Sequence, residues 1–378
     1  MAFVLSEDQQ MIRDTAMSFA RDELPVSHLR DLRDGGANGV DPASRAKLAE
    51  LGFFGVLIDE AYGGVGMGMV AMGQIMEAQG RTLAATPLLQ TAVLGASLLS
   101  LGGSEALKTE WLPKIAAGEV TLALALDEGT HHAPLNVSTE AERNGQGYTL
   151  NGAKRFVPDG HHADVFIIVA RSFGDAGQAH GLSLFLVPND AEGLTVQALN
   201  TVDSHGAAHL SLDGVAVSEA QLIGAPDAGW EVLEPALDRG RIALAAEALG
   251  SSQAAFEMTL EYLQTRKQFG QLIGSFQSLQ HRAAQMFTSL EMTRSCVAAA
   301  LAAADDGSNS LAELASLTKA KATELVHLVS NETVQMHGGI GMTDAHDSGL
   351  YMKRARVQEA LLGGASFHRD RYAKLNGF

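Results

Sequence analysis

Apolar residues in the first part of the chain recur at helical spacing. Phe3, Leu5, Met11, Ile12, Ala16 and Phe19 form one stripe, with Ser6 placed to cap a helix that starts on Glu7 and Asp8. Ala46–Leu51 leads into Gly52-Phe-Phe-Gly55, a turn after a helix, and helical patterns resume over Met69–Gly80 and Leu88–Leu101. Residues 1–119 are therefore predicted to be helical. The character changes at Val120. Strand-like runs follow at Thr121–Leu126, Tyr148–Leu150, Val165–Ala170, Ser183–Val187, Leu194–Leu199 and Ala207–Leu212. Gly, Asn and Asp punctuate them, as in Arg143-Asn-Gly-Gln-Gly147 and Asn151-Gly152, which predicts an all-β middle domain over 120–224. From Trp230 the helical period returns and lasts to the end, broken at Asp305–Asn309 and Gly338–Gly341, so 225–378 reads as a second helical domain. The chain is α+β and multidomain.

One long helix is expected to run through Leu249, Phe256, Leu260 and Leu263 into Tyr262-Leu-Gln-Thr-Arg-Lys-Gln-Phe-Gly270, where Gly270 should stop it. Apolar periodicity restarts at Phe276, Leu279, Ala283 and Met286. Arg266, Phe269 and Gln277 thus gather round a short break between two helices. A guanidinium suits a pyrophosphate, an aromatic edge suits a nucleotide ring and an amide suits the polar rim. An ordinary helix hairpin with a surface arginine accounts for the same residues. Further on, Gln335-Met-His-Gly-Gly-Ile-Gly-Met342 ends a helix with glycines that admit a closely approaching ligand or serve as a plain C-cap. Glu60-Ala-Tyr-Gly-Gly-Val-Gly66 predicts a tight loop where a backbone passes close to something.

Composition narrows the classes. The formal net charge of −17 argues against nonspecific nucleic-acid binding, though a local cation cluster would still serve an anionic ligand. No uninterrupted run approaches the ~18 apolar residues of a membrane helix, so no membrane insertion is expected. The acidic, amphipathic stretch Met1–Leu24 is neither a signal nor a transit peptide, and a single cysteine, Cys296, suits a reducing cytoplasm. His131-His132 and His161-His162 are expected to point apart, with no repeat completing a ligand set, so no metal site is expected.

Tyr262-x3-Arg266-x2-Phe269-Gly270-x6-Gln277 closely resembles the signature of the acyl-CoA dehydrogenase family of flavoenzymes, and the resemblance extends over nearly the whole chain. It implies a helical N-terminal domain, a β-sandwich or barrel, and a C-terminal four-helix bundle. It also implies FAD. Arg266 and Phe269 would reach the FAD of a neighbouring chain, with Gln277 in the same motif, while Gln335 and Gly339 would lie at the adenosine end. Leu126 and Asp127 fall in the family's flavin-contacting strand and loop, and Phe156 would cover the ring face. Pro158 stands where many members place a hydroxyl on flavin N5, and it has no donor. Asp238 and Arg241 match residues used near the CoA portion of an acyl-CoA. A homo-oligomer, dimer or tetramer, and reoxidation by an electron-transfer flavoprotein are further implications.

The base is where the chain departs from the pattern. The usual glutamate before a C-terminal glycine is Leu362, and an alternative position on the earlier helix is Gly240. Branches acting on bulky acyl-CoAs, including steroid side chains, resemble the Leu-x-Gly-x4-His ending, and some place the catalytic carboxylate where Glu247 stands. Glu247 is therefore the expected base, its pKa raised by Ala-rich surroundings. Two other readings stay open: a non-catalytic subunit of a hetero-oligomer that lends Arg266 to another chain's FAD, and a flavin monooxygenase on the same fold.

Overall fold

The computed structural model describes residues 4–36, 39, 41–145 and 147–378; Phe3 and Gln146 lie outside the described residues. The chain forms two compact units, one of Met1–Asp31, Met69–Ala84 and Arg241–Phe378, the other of Leu32–Gly68 and Ala85–Gly240. Helices fill both ends of the sequence and strands its middle. Among the described residues, no helix is long and apolar enough to cross a membrane.

The helical unit begins with α1 (Glu7–Glu23), started by a capping box in which Ser6 Oγ accepts from the Gln9 N–H and Gln9 Oε1 from the Ser6 N–H. Helices α2 (Val26–Asp34) and α3 (Pro42–Glu50) follow, α3 already in the second unit. The next helix, α4 (Gly68–Thr82), returns to the first. The N–H groups of Met69 and Val70 at its start donate to the carboxylate of Asp305, at the C-terminal end of α8 (Gln277–Asp305). The long α7 (Gly229–Thr265) carries on past Gly240 into this unit, where its flank lies backbone to backbone on α4. A Cβ at Gly80 would stand 2.0 Å from the Glu247 carbonyl oxygen, and one at Gly250 1.9 Å from that of Glu77. Only glycine fits either place. Helices α9 (Leu311–His337), α10 (Ser348–Ala360) and α11 (Ala365–Leu375) complete the bundle, with Thr259 of α7 bonded to Thr333 of α9 at 3.0 Å.

The second unit carries α5 (Ala96–Gly102), α6 (Glu105–Ala116) and an eight-stranded sheet: β1 (Leu122–Ala125), β2 (Glu140–Asn144), β3 (Gly147–Pro158), β4 (Val165–Arg171), β5 (Leu182–Pro188), β6 (Leu194–Leu199), β7 (Ala207–Ser218) and β8 (Leu222–Ile223). Their order is β6-β7-β3-β2-β4-β5-β8, with β1 parallel beside β4. The run Val165–Arg171 is buried at every position, as a strand covered on both faces must be. Tyr148 on β3 and Phe185 on β5 are three strand steps apart, about 14 Å in a flat sheet. Their ring centres lie 5.0 Å apart, so the sheet curls over its own core. Two sequence expectations need correction here. Asn151-Gly152 is no turn: β3 runs through it with a register shift at Gly152, because a glycine in mid-strand relieves an irregularity without ending the strand. The charged run Glu140–Asn144 is a strand that its low hydrophobicity hid. The Gly63-Gly-Val-Gly66 loop is tight as expected, and the backbone it passes close to is that of Ile58, since a Cβ at Gly64 would meet Ile58 O at 2.0 Å.

Candidate functional site

Glu247 lies in the helical unit on the face of α7 that meets α10. It is 6% exposed. Its Oε1 accepts from Arg354 Nε at 2.8 Å, Arg354 Nη2 at 2.7 Å and Gln358 Nε2 at 2.8 Å. Gln358 in turn accepts from Ser251 Oγ at 3.2 Å. Residues 247 and 251 are four apart on one helix and 354 and 358 four apart on the other, so two aligned pairs face each other. The purely apolar surroundings expected for Glu247 are therefore corrected: a buried arginine and an amide face it.

Downstream of Gln358, α10 stops at Ala360 and the chain turns through Leu362 (φ +55°) and Gly363 (φ +99°) into α11. This turn is held from beneath. Lys319, 1% exposed, donates to the carbonyls of Gln358 and Gly363, each at 2.9 Å, and to Thr323 Oγ1 at 3.1 Å. Burial pushes the Lys319 ammonium down to about 7, and neighbouring Arg241 pushes the same way. His368 Nε2 lies 2.9 Å from the Leu362 carbonyl oxygen. Arg241 is fully buried, its guanidinium carbon 5.9 Å from the Phe367 ring centre. Asp238, buried as well, belongs to the sheet-bearing unit. Glu359, the nearest carboxylate in sequence to Leu362, is committed to Arg356 at 2.5 Å and to His327 at 3.3 Å.

The Tyr262–Gln277 stretch is a hairpin. Helix α7 ends at Thr265, five residues before Gly270, because β9 (Lys267–Gln268) pairs antiparallel with β10 (Gln271–Leu272). The two-residue turn between them needs φ > 0 twice, and Phe269 (+53°) and Gly270 (+81°) provide it. Gly270 thus serves the turn and does not stop the helix. A phenylalanine in the left-handed region is strained, and this one holds its ring 90% exposed. Arg266 is exposed at the hairpin's base and makes no ion pair among the described residues; Gln277, also exposed, opens α8. Tyr262 stacks on His337 with ring centres 4.5 Å apart, so the hairpin adjoins the Gln335–Met342 turn. There Gln335 and Gly339 are exposed, and a Cβ at Gly339 would meet nothing within 4 Å.

In the sheet-bearing unit, Leu126 is buried and its carbonyl accepts from Lys154 Nζ at 3.1 Å. Asp127 clasps its own loop, accepting from the Ala133 N–H at 3.0 Å and sitting 2.9 Å from His132 Nδ1. A bulge between Lys154 and Val157 gives β3 one extra residue and turns Phe156 outward, at φ +49° and 40% exposed. Pro158 closes the strand opposite Ala207. The His161 and His162 rings lie together, centres 4.1 Å apart and planes tilted by 46°, instead of pointing apart. Sequence reasoning also passed over the fully buried Lys154, paired with Glu128 at 2.7 Å. Burial drives the Lys154 ammonium down to about 8 against the pull of Glu128. Burial works to raise Glu128, but Lys154 and Thr139 outweigh it and hold the carboxyl low. A lysine inside a strand and a glutamate in the loop after β1 were the available signal.

Within the helical unit these parts suit a flavin dinucleotide: an exposed cation with no ion pair among the described residues, an aromatic ring held outward by left-handed backbone, and an open glycine beside an exposed amide are groups that a pyrophosphate and a stacked ring need.

Three family descriptions match the chain in series: acyl-CoA dehydrogenase N-terminal domain at residues 6–119, middle domain at 126–215 and C-terminal domain at 227–375. The chain is 30% identical over 375 residues to the Bacillus subtilis (strain 168) protein named probable acyl-CoA dehydrogenase YngJ, covering 98% of each. It is similar to a chain of the ChsE4-ChsE5 complex from Mycobacterium tuberculosis, with 28% identity, TM-score 0.90 and full coverage of both chains. The G363A variant of the Tcur3481-Tcur3483 steroid ACAD matches with 30% identity and TM-score 0.87 over 98% of each chain.

Proposed function

The chain belongs to the acyl-CoA dehydrogenase family, and on that premise we propose that it dehydrogenates an acyl-CoA between the α and β carbons with Glu247 as the base. The observation that carries the proposal is the buried Glu247 carboxylate, with Oε1 held by three donors and no hydrogen bond to Oε2 among the described residues, while the turn at Leu362 offers no carboxylate. The thioester carbonyl acidifies the α-proton, and a carboxylate oxygen beside that carbon removes it. The β-hydrogen leaves with its electron pair, so the acyl chain loses one proton and one hydride and becomes an α,β-enoyl-CoA. Bound FAD supplies the two-electron acceptor for that hydride. Arg266 would hold the pyrophosphate of a neighbouring chain's FAD, Phe156 would cover a ring face, and Gln335 with Gly339 would accommodate an adenosine end. Pro158 would offer N5 no side-chain donor. An electron-transfer flavoprotein is the proposed oxidant of the reduced enzyme, and a bulky acyl group the proposed substrate class, the latter supported by similarity to a steroid ACAD.

A second reading rests on Leu362. In it the chain pairs with a related subunit and contributes Arg266 to a shared FAD, as the two-component names of both similar structures invite. Purified protein, an absorbance spectrum and a panel of acyl-CoAs with ferrocenium as acceptor separate the two. Glu247→Gln should keep FAD and acyl-CoA affinity while slowing flavin reduction about 10²–10⁴-fold. Unchanged reduction in Glu247→Gln, with loss in Glu359→Gln, would move the role to Glu359. Wild-type flavin that no acyl-CoA bleaches would leave the partner-subunit reading standing.

A further inference from the structure

The three donors on Glu247 all converge on one oxygen. Oε1 takes two bonds from Arg354 and one from Gln358, and among the described residues Oε2 takes none. Two aligned pairs across a helix interface make this arrangement rigid, because each member is fixed by its own helix and by its neighbour. Gln358 is tied three ways: its amide nitrogen to Glu247, its amide oxygen to Ser251 and its main-chain carbonyl to Lys319. Rotating the Glu247 carboxyl group would break all three contacts to Oε1 together. A buried ion pair of this kind adds little to stability compared with well-packed apolar residues, which leaves orientation as what it contributes.

From this we infer that Arg354 and Gln358 are positioning residues: they clamp Oε1 of Glu247 and present Oε2 as the oxygen that receives the substrate α-proton. The inference rests on the reading of Glu247 as base. It specifies the atom, and it predicts that loosening the clamp slows proton removal without weakening substrate or FAD binding. Proton transfer depends steeply on placement, and a displacement of about 1 Å costs up to about 100-fold.

The test isolates proton removal from hydride transfer. A 3-thia-acyl-CoA has an acidic α-carbon but no β C–H to give up, so exchange of its α-hydrogen with D2O reads the base alone by NMR. The holoenzyme is compared with Glu247→Gln, Gln358→Met and Arg354→Lys, Gln358→Met keeping the volume and removing the donor. Exchange should be abolished in Glu247→Gln. It should fall about tenfold in Gln358→Met and in Arg354→Lys, with FAD content and affinity for the 3-thia-acyl-CoA unchanged. A purely structural role would lower thermal stability and binding together and leave the exchange rate of the bound fraction at the wild-type value. That outcome in Gln358→Met and Arg354→Lys, with exchange still lost in Glu247→Gln, overturns the clamp and keeps the base. Wild-type exchange in Glu247→Gln overturns the base reading itself. Should Arg354→Lys fail to fold, Gln358→Met decides.

Discussion

The wild-type protein should gain stability with pH above pH 7, and replacing Lys319 with methionine should remove that gain. The ammonium is sealed in the helical unit, bonded to a hydroxyl and two carbonyls, with no carboxylate among those acceptors. Burial, then Arg241, lowers it from 10.5 to about 7, with Glu359 opposing weakly. The sign follows from proton counting. Below pH 7 both folded and unfolded chains carry the proton, and the cost of the buried charge is fully present. Between about 7 and 10.5 the unfolded chain binds a proton that the folded chain has released, so stability climbs with pH and levels off near 10.5. Complete, the effect is on the order of 5 kcal/mol, and between pH 7 and 9 it amounts to about 2 kcal/mol. Methionine has no charge to bury, but it leaves the Gln358 and Gly363 carbonyls without their donor, at about 1–3 kcal/mol each. The two proteins should therefore be close in stability at pH 7, and the variant should fall behind by about 2 kcal/mol at pH 9. Guanidinium unfolding of both holoproteins at pH 6.5, 7.5, 8.5 and 9.5 measures the gap, and Lys154, titrating in both, cancels. A gap that stays constant from pH 7 to 9 refutes the reasoning.

Arg266→Ala should shed FAD on gel filtration, lowering the ratio of flavin to protein absorbance, because a pyrophosphate loses its bidentate cation. Phe269→Asn should raise the stability of the isolated chain by about 1 kcal/mol, since asparagine tolerates the left-handed region, yet shift size-exclusion profiles toward smaller assemblies. Unchanged assembly would show the exposed ring to be idle. Lys154→Met leaves the Glu128 carboxylate, in the loop after β1, with only the neutral donors of Ser138 and Thr139 and should cost about 3 kcal/mol in chemical denaturation, most of it recovered by adding Glu128→Gln.

The order helix–sheet–helix was legible because each segment keeps one hydrophobic period over many residues. Ser6, the breaks at Asp305 and Gly338 and the strand Leu194–Leu199 stand where local chemistry places them. What the sequence hid is of two kinds. Glycines have several uses, and Gly152 and Gly270 look alike as punctuation although one sits inside a strand and the other in a hairpin turn. Long-range pairings leave no local trace at all. Nothing within a turn of Glu247 announces Arg354, 107 residues away, or the Lys319 that supports the turn at Leu362. The exposed motif residues could be named from their spacing, while the buried polar network around the candidate base required the packed helices.

The contact between α4 and α7 has a bearing on how this protein can vary. Gly80 touches the backbone of Glu247 and Gly250 touches the backbone of Glu77, with no side chain between the two helices at either point. Elsewhere in a bundle, a larger residue on one helix can be matched by a smaller one on the next, and the helices drift apart over evolutionary time. At this crossing that freedom is absent. A single methyl at Gly80 would displace the segment bearing Glu247, and with it the proposed base, by more than a proton transfer tolerates. Variation in this family member would therefore have to come from elements other than this crossing, with the height of the Glu247 carboxylate held as a fixed reference point.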